Sequence, residues 1–407
     1  MKTWFFNECP YPYLPDPASY ESIRVTLPNG HYDPRIGADL YHMYLDLWLE
    51  AEDLGLDLML NEHHQTPTCT VPAVPLMLSI LARQTSRARL LVLGNPLANR
   101  NQPVRVAEEM AMIDVLSRGR LECGFVRGVP YEASAANISA FRGSQRVWEA
   151  HDLILKAWTT HDGPFNFEGR FYTHRQVNIW PRPWQQPHPP VWITVGSGPS
   201  TTPVAKRGHV GAVFLAGYQN IRKIFDGYRQ AYLDAHGKPA PLDRLAYCAL
   251  VFVGDNEAQA REGAEKLLWY MNTSKGAPQF SNPPGYHPPA VAAQFLKPQA
   301  GEATPITVED QMARGNLFAG TPDQVFDQIK AFWEYSGGFG HFLMMGHAGL
   351  MTREETLGSM TRFAQEVQPR LVELAAGYDE SEMRARREAS PDRRFADTGG
   401  MARDFVR

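Results

Sequence analysis

Apolar positions along the chain switch repeatedly between short continuous runs and stretches spaced three and four apart. These are the marks of buried strands and amphipathic helices. Strand-like runs fall at residues 3–7, 56–60, 89–93, 121–126, 191–195, 212–216, 245–253 and 339–345. Helical spacing follows nearly every one. In 38–54 the apolar residues are Leu40, Met43, Tyr44, Leu47, Trp48, Ala51 and Leu54. Similar stretches occupy 72–85, 104–116, 146–158, 203–207, 221–236, 256–271, 324–335 and 353–368. Thr321-Pro322-Asp323 is a helix start, with Thr at the cap and Pro in the first turn.

Strands alternating with helices imply right-handed crossovers and a parallel sheet. Eight such units fit a closed (β/α)8 TIM barrel better than an open sheet, and no GxGxxG follows the first strand. Three stretches break the rhythm and are expected as insertions, at about 8–37, 160–190 and 272–320. The first is rich in Pro, Tyr and Asp. The second contains an alternating segment around Gly169 that suggests a hairpin, then a Pro-rich return. The third is rich in Pro, Gly and Ala over 272–305. Beyond about 377 the chain is charged and poor in large apolar residues, so the expected organisation is one barrel domain, 1–376, and a C-terminal arm, 377–407.

In a barrel, the residues just past the strand ends share one rim. The most conspicuous such stretch is LGLDLMLNEHH, 54–64. A helix stops at Leu54-Gly55, five residues form a buried strand, and Asn61, Glu62, His63 and His64 follow together. Several titratable groups after an apolar strand are costly to bury without partners, which invites a functional reading. A histidine pair satisfied at a strand end fits equally well. Gly196–Thr202 offers small residues and hydroxyls before a helix, either a phosphate cradle or an ordinary Ser/Thr cap. Arg127, one strand earlier, suits a phosphate or a surface ion pair.

Metal and side-chain-only mechanisms are poorly served. His63 and His64 are adjacent, unlike the i, i+4 pair of HExxH, and no third ligand is singled out. No GxSxG elbow occurs, and Cys9, Cys69, Cys123 and Cys248 are widely spaced without CxxC. An organic, phosphate-bearing cofactor is therefore expected. The cysteine usage fits a reduced cytoplasm, and the N-terminus has no long apolar run. With 43% hydrophobic and 21% charged residues and a net charge of -4, the 407-residue chain has an ordinary globular composition that argues against nucleic-acid or membrane-surface partners.

Taken in order, Asn61-Glu62-His63-His64, Asn95-Pro96 and VAEEMAMIDVLSRGRLECGFVRG (106–128) resemble the bacterial-luciferase-like flavin-dependent monooxygenases, as do FEGRFY (167–172) and PRPWQQPHPPVW (181–192). The likeness runs from about residue 2 to 368. It implies a barrel that binds FMN non-covalently. Reduced FMN would be supplied by a separate NAD(P)H:flavin reductase and react with O2 to a C4a-peroxide that oxygenates an organic substrate. Carried onto this chain, His63 stands by the reactive edge of the flavin as acid–base or orienting residue, a role suited to imidazole near pH 7. His64 and Glu62 support it. Arg127, with Val129 beside it, matches the phosphate-binding stretch. Arg146 looks like the second arginine, with Arg142 an alternative. Ser197, Gly198, Ser200 and Thr201 match the phosphate loop, where relatives often have a carboxylate followed by serine. Leu93, Gly94 and Asn95 match the segment under the flavin ring, with a non-proline cis peptide expected at Leu93–Gly94 or Gly94–Asn95.

Phe6, Glu8 and the 8–37 and 272–305 segments are expected to face the substrate, which their aromatic and proline content suggests is small and apolar. Covering the barrel or a subunit contact would explain those loops equally. Relatives are usually dimers, so a homodimer is expected. The rival readings are a deazaflavin- or FMN-dependent hydride-transferring oxidoreductase and a non-catalytic flavin-binding protein.

Overall fold

The structure, a computed structural model, describes residues 1–273 and 306–379. Eight parallel strands close on themselves: β1 (Lys2–Asn7), β2 (Asp57–Leu60), β3 (Leu90–Pro96), β4 (Leu121–Val126), β7 (Val191–Thr194), β8 (Val210–Phe214), β9 (Leu245–Val253) and β11 (His341–His347). β1 pairs with β2 and β11, and β8 with β9 completes the ring. The expected (β/α)8 barrel is the architecture found.

Side-chain parity shows why the sheet closes. Trp4 and Phe6, Leu91 and Leu93, Ala246, Cys248 and Leu250, and Leu343 and Met345 all belong to one buried cluster inside the ring. Their neighbours Phe5, Leu90, Val92, Tyr247, Ala249, Phe342 and Met344 belong to a second cluster beneath the helices. Strands buried on both faces have continuous apolar runs, as these do. At the N-terminal end of the barrel, Trp192 stands edge-on to Trp4 at 5.5 Å and lies 4.6 Å from His341. The Trp4 indole donates to His341 Nδ1 at 3.1 Å, so this polar plug is internally satisfied.

The principal surrounding helices are α1 (Pro34–Asp53), α2 (Val74–Gln84), α3 (Pro103–Leu116), α5 (Gly143–Thr159), α7 (Gly217–His236), α8 (Glu257–Asn272), α10 (Pro322–Ser336) and α11 (Arg353–Arg362). Shorter helices are α4 (Pro130–Ala135), α6 (Gly198–Lys206) and α9 (Val308–Arg314). A π-helical segment, Phe363–Val367, links α11 to α12 (Gln368–Ala376). The 160–190 insertion does contain an antiparallel hairpin, β5 (Phe165–Glu168) with β6 (Thr173–Val177). Among the described residues, no helix is long and apolar enough to cross a membrane.

Several element bounds move. α1 begins at Pro34, four residues before the periodicity does, because Asp33 caps it by accepting from Arg35 N. Gly198–Thr201 belong to a helix rather than to a loop. The 272–320 insertion is also too long. Leu317–Gly320 forms β10 and pairs with Leu250–Val253 of β9. Cys248 O accepts from Leu215 N while Leu250 N donates to Asn316 O, so β10 takes over the edge that β8 leaves. Nine residues of β9 are long enough to serve both neighbours. Residues 274–305 and the expected arm from 380 onward lie outside the described residues.

Candidate active site at the barrel mouth

Parallel pairing brings every strand's C-terminal end to one rim. Glu8 follows β1, Glu62 and His63 follow β2, Asn95 ends β3, Arg127 follows β4 and Ser197 follows β7. Alternation past β2 sends Glu62 and His64 one way and His63 another.

Glu62, with no exposed side-chain surface, accepts from His64 Nε2 at 2.9 Å and pairs with Arg100. Its other oxygen takes Val74 N at the start of α2. His63 turns instead to Glu132, its Nδ1 lying 3.0 Å from Glu132 Oε1. Glu62 is expected to support His63; the carboxylate bonded to the His63 ring is Glu132, and of the two histidines Glu62 bonds His64.

Glu132 lies on α4, which the apolar pattern did not reveal. Its Oε1 also accepts His64 N at 3.0 Å and its Oε2 accepts Val129 N at 3.2 Å. Burial disfavours the Glu132 charge, but the hydrogen bond and charge of His63 outweigh it and hold the carboxyl below its usual range. Burial likewise works against the His63 imidazolium. The bond and charge of Glu132 win, and His63 titrates above the ordinary histidine value. With Nδ1–H donated to Glu132, Nε2 is the nitrogen left for chemistry. The local signal for Glu132 was Pro130 in a first helical turn with Glu two residues on; nothing local announced its partner.

Glu8 is also buried. It accepts from Asn61 Nδ2 at 2.8 Å, and burial pushes its carboxyl up, against smaller lowering effects from His63, Asn61 and Tyr270. Tyr270 reaches it from α8. Arg24, from the N-terminal segment, is buried and donates to Tyr131 Oη at 2.6 Å. Sequence reasoning passed over Arg24, Tyr131, Glu132 and Tyr270. Phe6 sits one layer lower, fully buried inside the barrel and 6.3 Å from Phe214. A cavity of about 450 Å³ lies between residues 11–32 and 65–70, lined by Ile23, Val25, Gln65 and Thr66 among others, and not by Arg24.

On the other side of His63, the Leu93–Gly94 peptide is cis, one of the two positions expected. Asn95 is fully buried, and its Oδ1 has no hydrogen-bond partner among the described residues. Both amide atoms of Asn99 and the Nε of Arg100 are in the same condition. Gly128, at φ +88°, would place a Cβ 2.8 Å from Asn99 Nδ2. Buried polar atoms without partners are uncommon. Here the Asn99 amide adjoins Gly128, beside which Glu132 Oε2 also lies, while the Asn95 amide faces the Met110 sulfur at 3.7 Å. The Arg127 stem lies against Gly143, at the N-terminus of α5.

Arg146 is placed differently. Its Nε donates to Ala98 O at 2.9 Å and its Nη2 to Arg100 O at 3.1 Å and Asn101 Oδ1 at 3.2 Å. It ties down the loop carrying Asn99 and Arg100. Ser200 Oγ donates to Ser197 O at 2.7 Å and accepts from Ser197 N, and Thr201 Oγ1 donates to Gly198 O. Those hydroxyls cap α6 locally. Among the described residues no three His, Cys, Asp or Glu side chains gather as a metal would need.

The rim of this (β/α)8 barrel thus carries a buried histidine–carboxylate pair with the unpartnered Asn99 amide beside it. The chain belongs to the luciferase-like monooxygenase family, whose model matches residues 25–367. Among its relatives is the oxygenase component of the flavin-dependent trigonelline monooxygenase of Acinetobacter baylyi, 26% identical over 351 residues, which are 84% of this chain and 92% of that protein. Among solved structures, the monooxygenase RslO1 of Streptomyces bottropensis superposes with a TM-score of 0.71 at 23% identity, covering 91% of this chain and 100% of that one. The oxygenating constituent of 3,6-diketocamphane monooxygenase of Pseudomonas putida, in complex with FMN, superposes with a TM-score of 0.67 at 19% identity, covering 91% and 98%.

Proposed function

We propose that this protein is the oxygenase component of a two-component monooxygenase, taking reduced FMN from a separate NAD(P)H:flavin reductase and using O2 to oxygenate a small organic substrate. The observation that carries the reading is the His63–Glu132 pair at the barrel rim, with the unpartnered Asn99 amide beside Glu132. The flavin supplies O2 activation, which no side chain in the site provides. Leu93, Gly94 and Asn95 would lie along its ring, Asn99 and Gly128 along its chain, and Arg127, Val129 and the Ser197–Thr201 turn nearest its phosphate.

His63 Nε2 would hold or deliver a proton at the reacting edge, with Nδ1–H anchored on Glu132. Glu8, at the end of β1, would make part of the substrate wall polar, so a substrate with a polar group on an otherwise apolar ring would suit the site. A homodimer, as expected from the family likeness, is part of this proposal.

The test has two arms. Reduced FMN should bind at micromolar Kd or tighter, and Arg127→Ala should weaken that binding by about tenfold or more through loss of a charge-assisted contact. His63→Ala should cut O2-coupled product formation by about 100-fold while leaving binding within a few fold. The assay panel should include trigonelline beside cyclic ketones and terpenes. Full turnover by His63→Ala would remove the assignment.

A further inference from the structure

Glu132 makes three contacts that no other carboxylate near His63 makes. It accepts the His63 Nδ1–H at 3.0 Å, the His64 N–H at 3.0 Å and, through its second oxygen, the Val129 N–H at 3.2 Å. The side chain is 2% exposed, whereas the imidazole it holds keeps 20% of its surface open. The arrangement fixes the ring by Nδ1. It also ties the segment just after Arg127 to the His63 backbone neighbour through a single carboxylate.

We propose that Glu132 is the positioning residue of the active site: it holds His63 as the Nδ1–H tautomer, fixes the ring's orientation and so leaves Nε2 as the nitrogen for the reaction. This rests on His63 being the acid–base residue. A buried carboxylate with three N–H donors has no freedom to rotate, so ring orientation is preset rather than selected during turnover. The other groups that bear on His63 act from farther away. Glu8, at the end of β1, favours the imidazolium and Arg24, from the N-terminal segment, opposes it. Glu8 is itself engaged by Asn61 and Tyr270, Arg24 by Tyr131, and Glu62 by His64 and Arg100. Glu132 is thus the one carboxylate among the described residues in direct hydrogen-bond contact with the His63 ring.

The deciding experiment is an NMR titration of ring-labelled histidine in the flavin-free protein, with His63 assigned by loss of its signal in His63→Asn. In Glu132→Gln the His63 pKa should fall below that of the wild type, and the ring should lose its single-tautomer signature. Glu132→Asp keeps the charge one methylene short and should retain part of the elevation. An unchanged His63 pKa and tautomer in a folded Glu132→Gln protein overturns the proposal. If Glu132→Gln does not fold, Glu132→Asp decides: a titration identical to that of the wild type, with undiminished turnover, also overturns it. Because the titration needs neither flavin nor substrate, it stands even if the oxygenase assignment fails. In the active enzyme, Glu132→Gln should lower kcat about tenfold or more and move the pH profile with the NMR pKa, while KM changes little.

Discussion

Gly124→Ala probes how the barrel builds the floor of the site. Gly124 on β4 and Gly94 on β3 face each other where the two strands come closest. A Cβ built on Gly124 falls against Val92 O, lies 2.6 Å from Leu93 Cδ1 and only 3.1 Å from Leu93 Cα. Ordinary contact begins at 3.4 Å, and Leu93 Cα is main chain, so no rotamer change relieves it. The reciprocal Cβ on Gly94 would lie 2.9 Å from Gly124 O. The alanine must push β3 away by at least a few tenths of an ångström. Overpacking of this kind costs about 1–3 kcal/mol. At about 2 cal/mol/K of unfolding entropy per residue, a chain of this size loses about 1 °C of Tm per kcal/mol, so a fall of about 1–4 °C is expected.

The functional effect should be larger than the thermal one. The displaced segment carries Leu93, Gly94 and Asn95, and small misplacements of a binding surface cost tenfold to a hundredfold. Differential scanning fluorimetry and reduced-FMN titration of Gly124→Ala would be compared with Gly30→Ala, where a Cβ meets nothing within 4 Å. A Gly124→Ala protein that melts and binds flavin like the wild type would refute the close-approach argument.

Two further outcomes are expected. His209 and His341 are pushed down to about 3 and His347 to about 4, in each case chiefly by burial, so all three fold neutral. Below pH 6.5 the unfolded chain binds protons that the native one refuses. Each histidine should therefore remove about 1.4 kcal/mol of stability per pH unit from 6.5 down toward 3–4, read as a steep fall in urea midpoint that a flat profile would contradict. Arg120 clamps the end of α2 by donating to Thr85 Oγ1 and Ala88 O, both at 2.7 Å, and to Ala82 O, Thr85 O and Ser117 O at 2.9–3.0 Å. Arg120→Ala should cost about 2–4 kcal/mol by equilibrium unfolding and Arg120→Lys more than half of that, since an ammonium cannot span the same acceptors.

Much of this was legible in the residues. Period-two and period-three-to-four spacing are properties of a single segment, so eight strands, their crossover helices and the shared rim followed from local pattern alone. The motif at 61–64, the segment at 93–95 and Arg127 fell on that rim because each is tied to a strand end. What local pattern did not reveal was whatever depends on a distant partner. β10 is four residues long and becomes a strand only because β9 outruns β8 and leaves an open edge. Arg146 is expected as a phosphate ligand from the family resemblance, and nothing local showed that the 98–101 loop would accept from its Nε and Nη2. Glu62 adjoins the histidines in sequence, but strand alternation turns it toward Arg100, while Glu132, sixty-nine positions beyond His63, arrives at the imidazole on a neighbouring connection. Periodicity is fixed by each residue's immediate neighbours; which carboxylate meets which histidine is fixed only when the barrel closes.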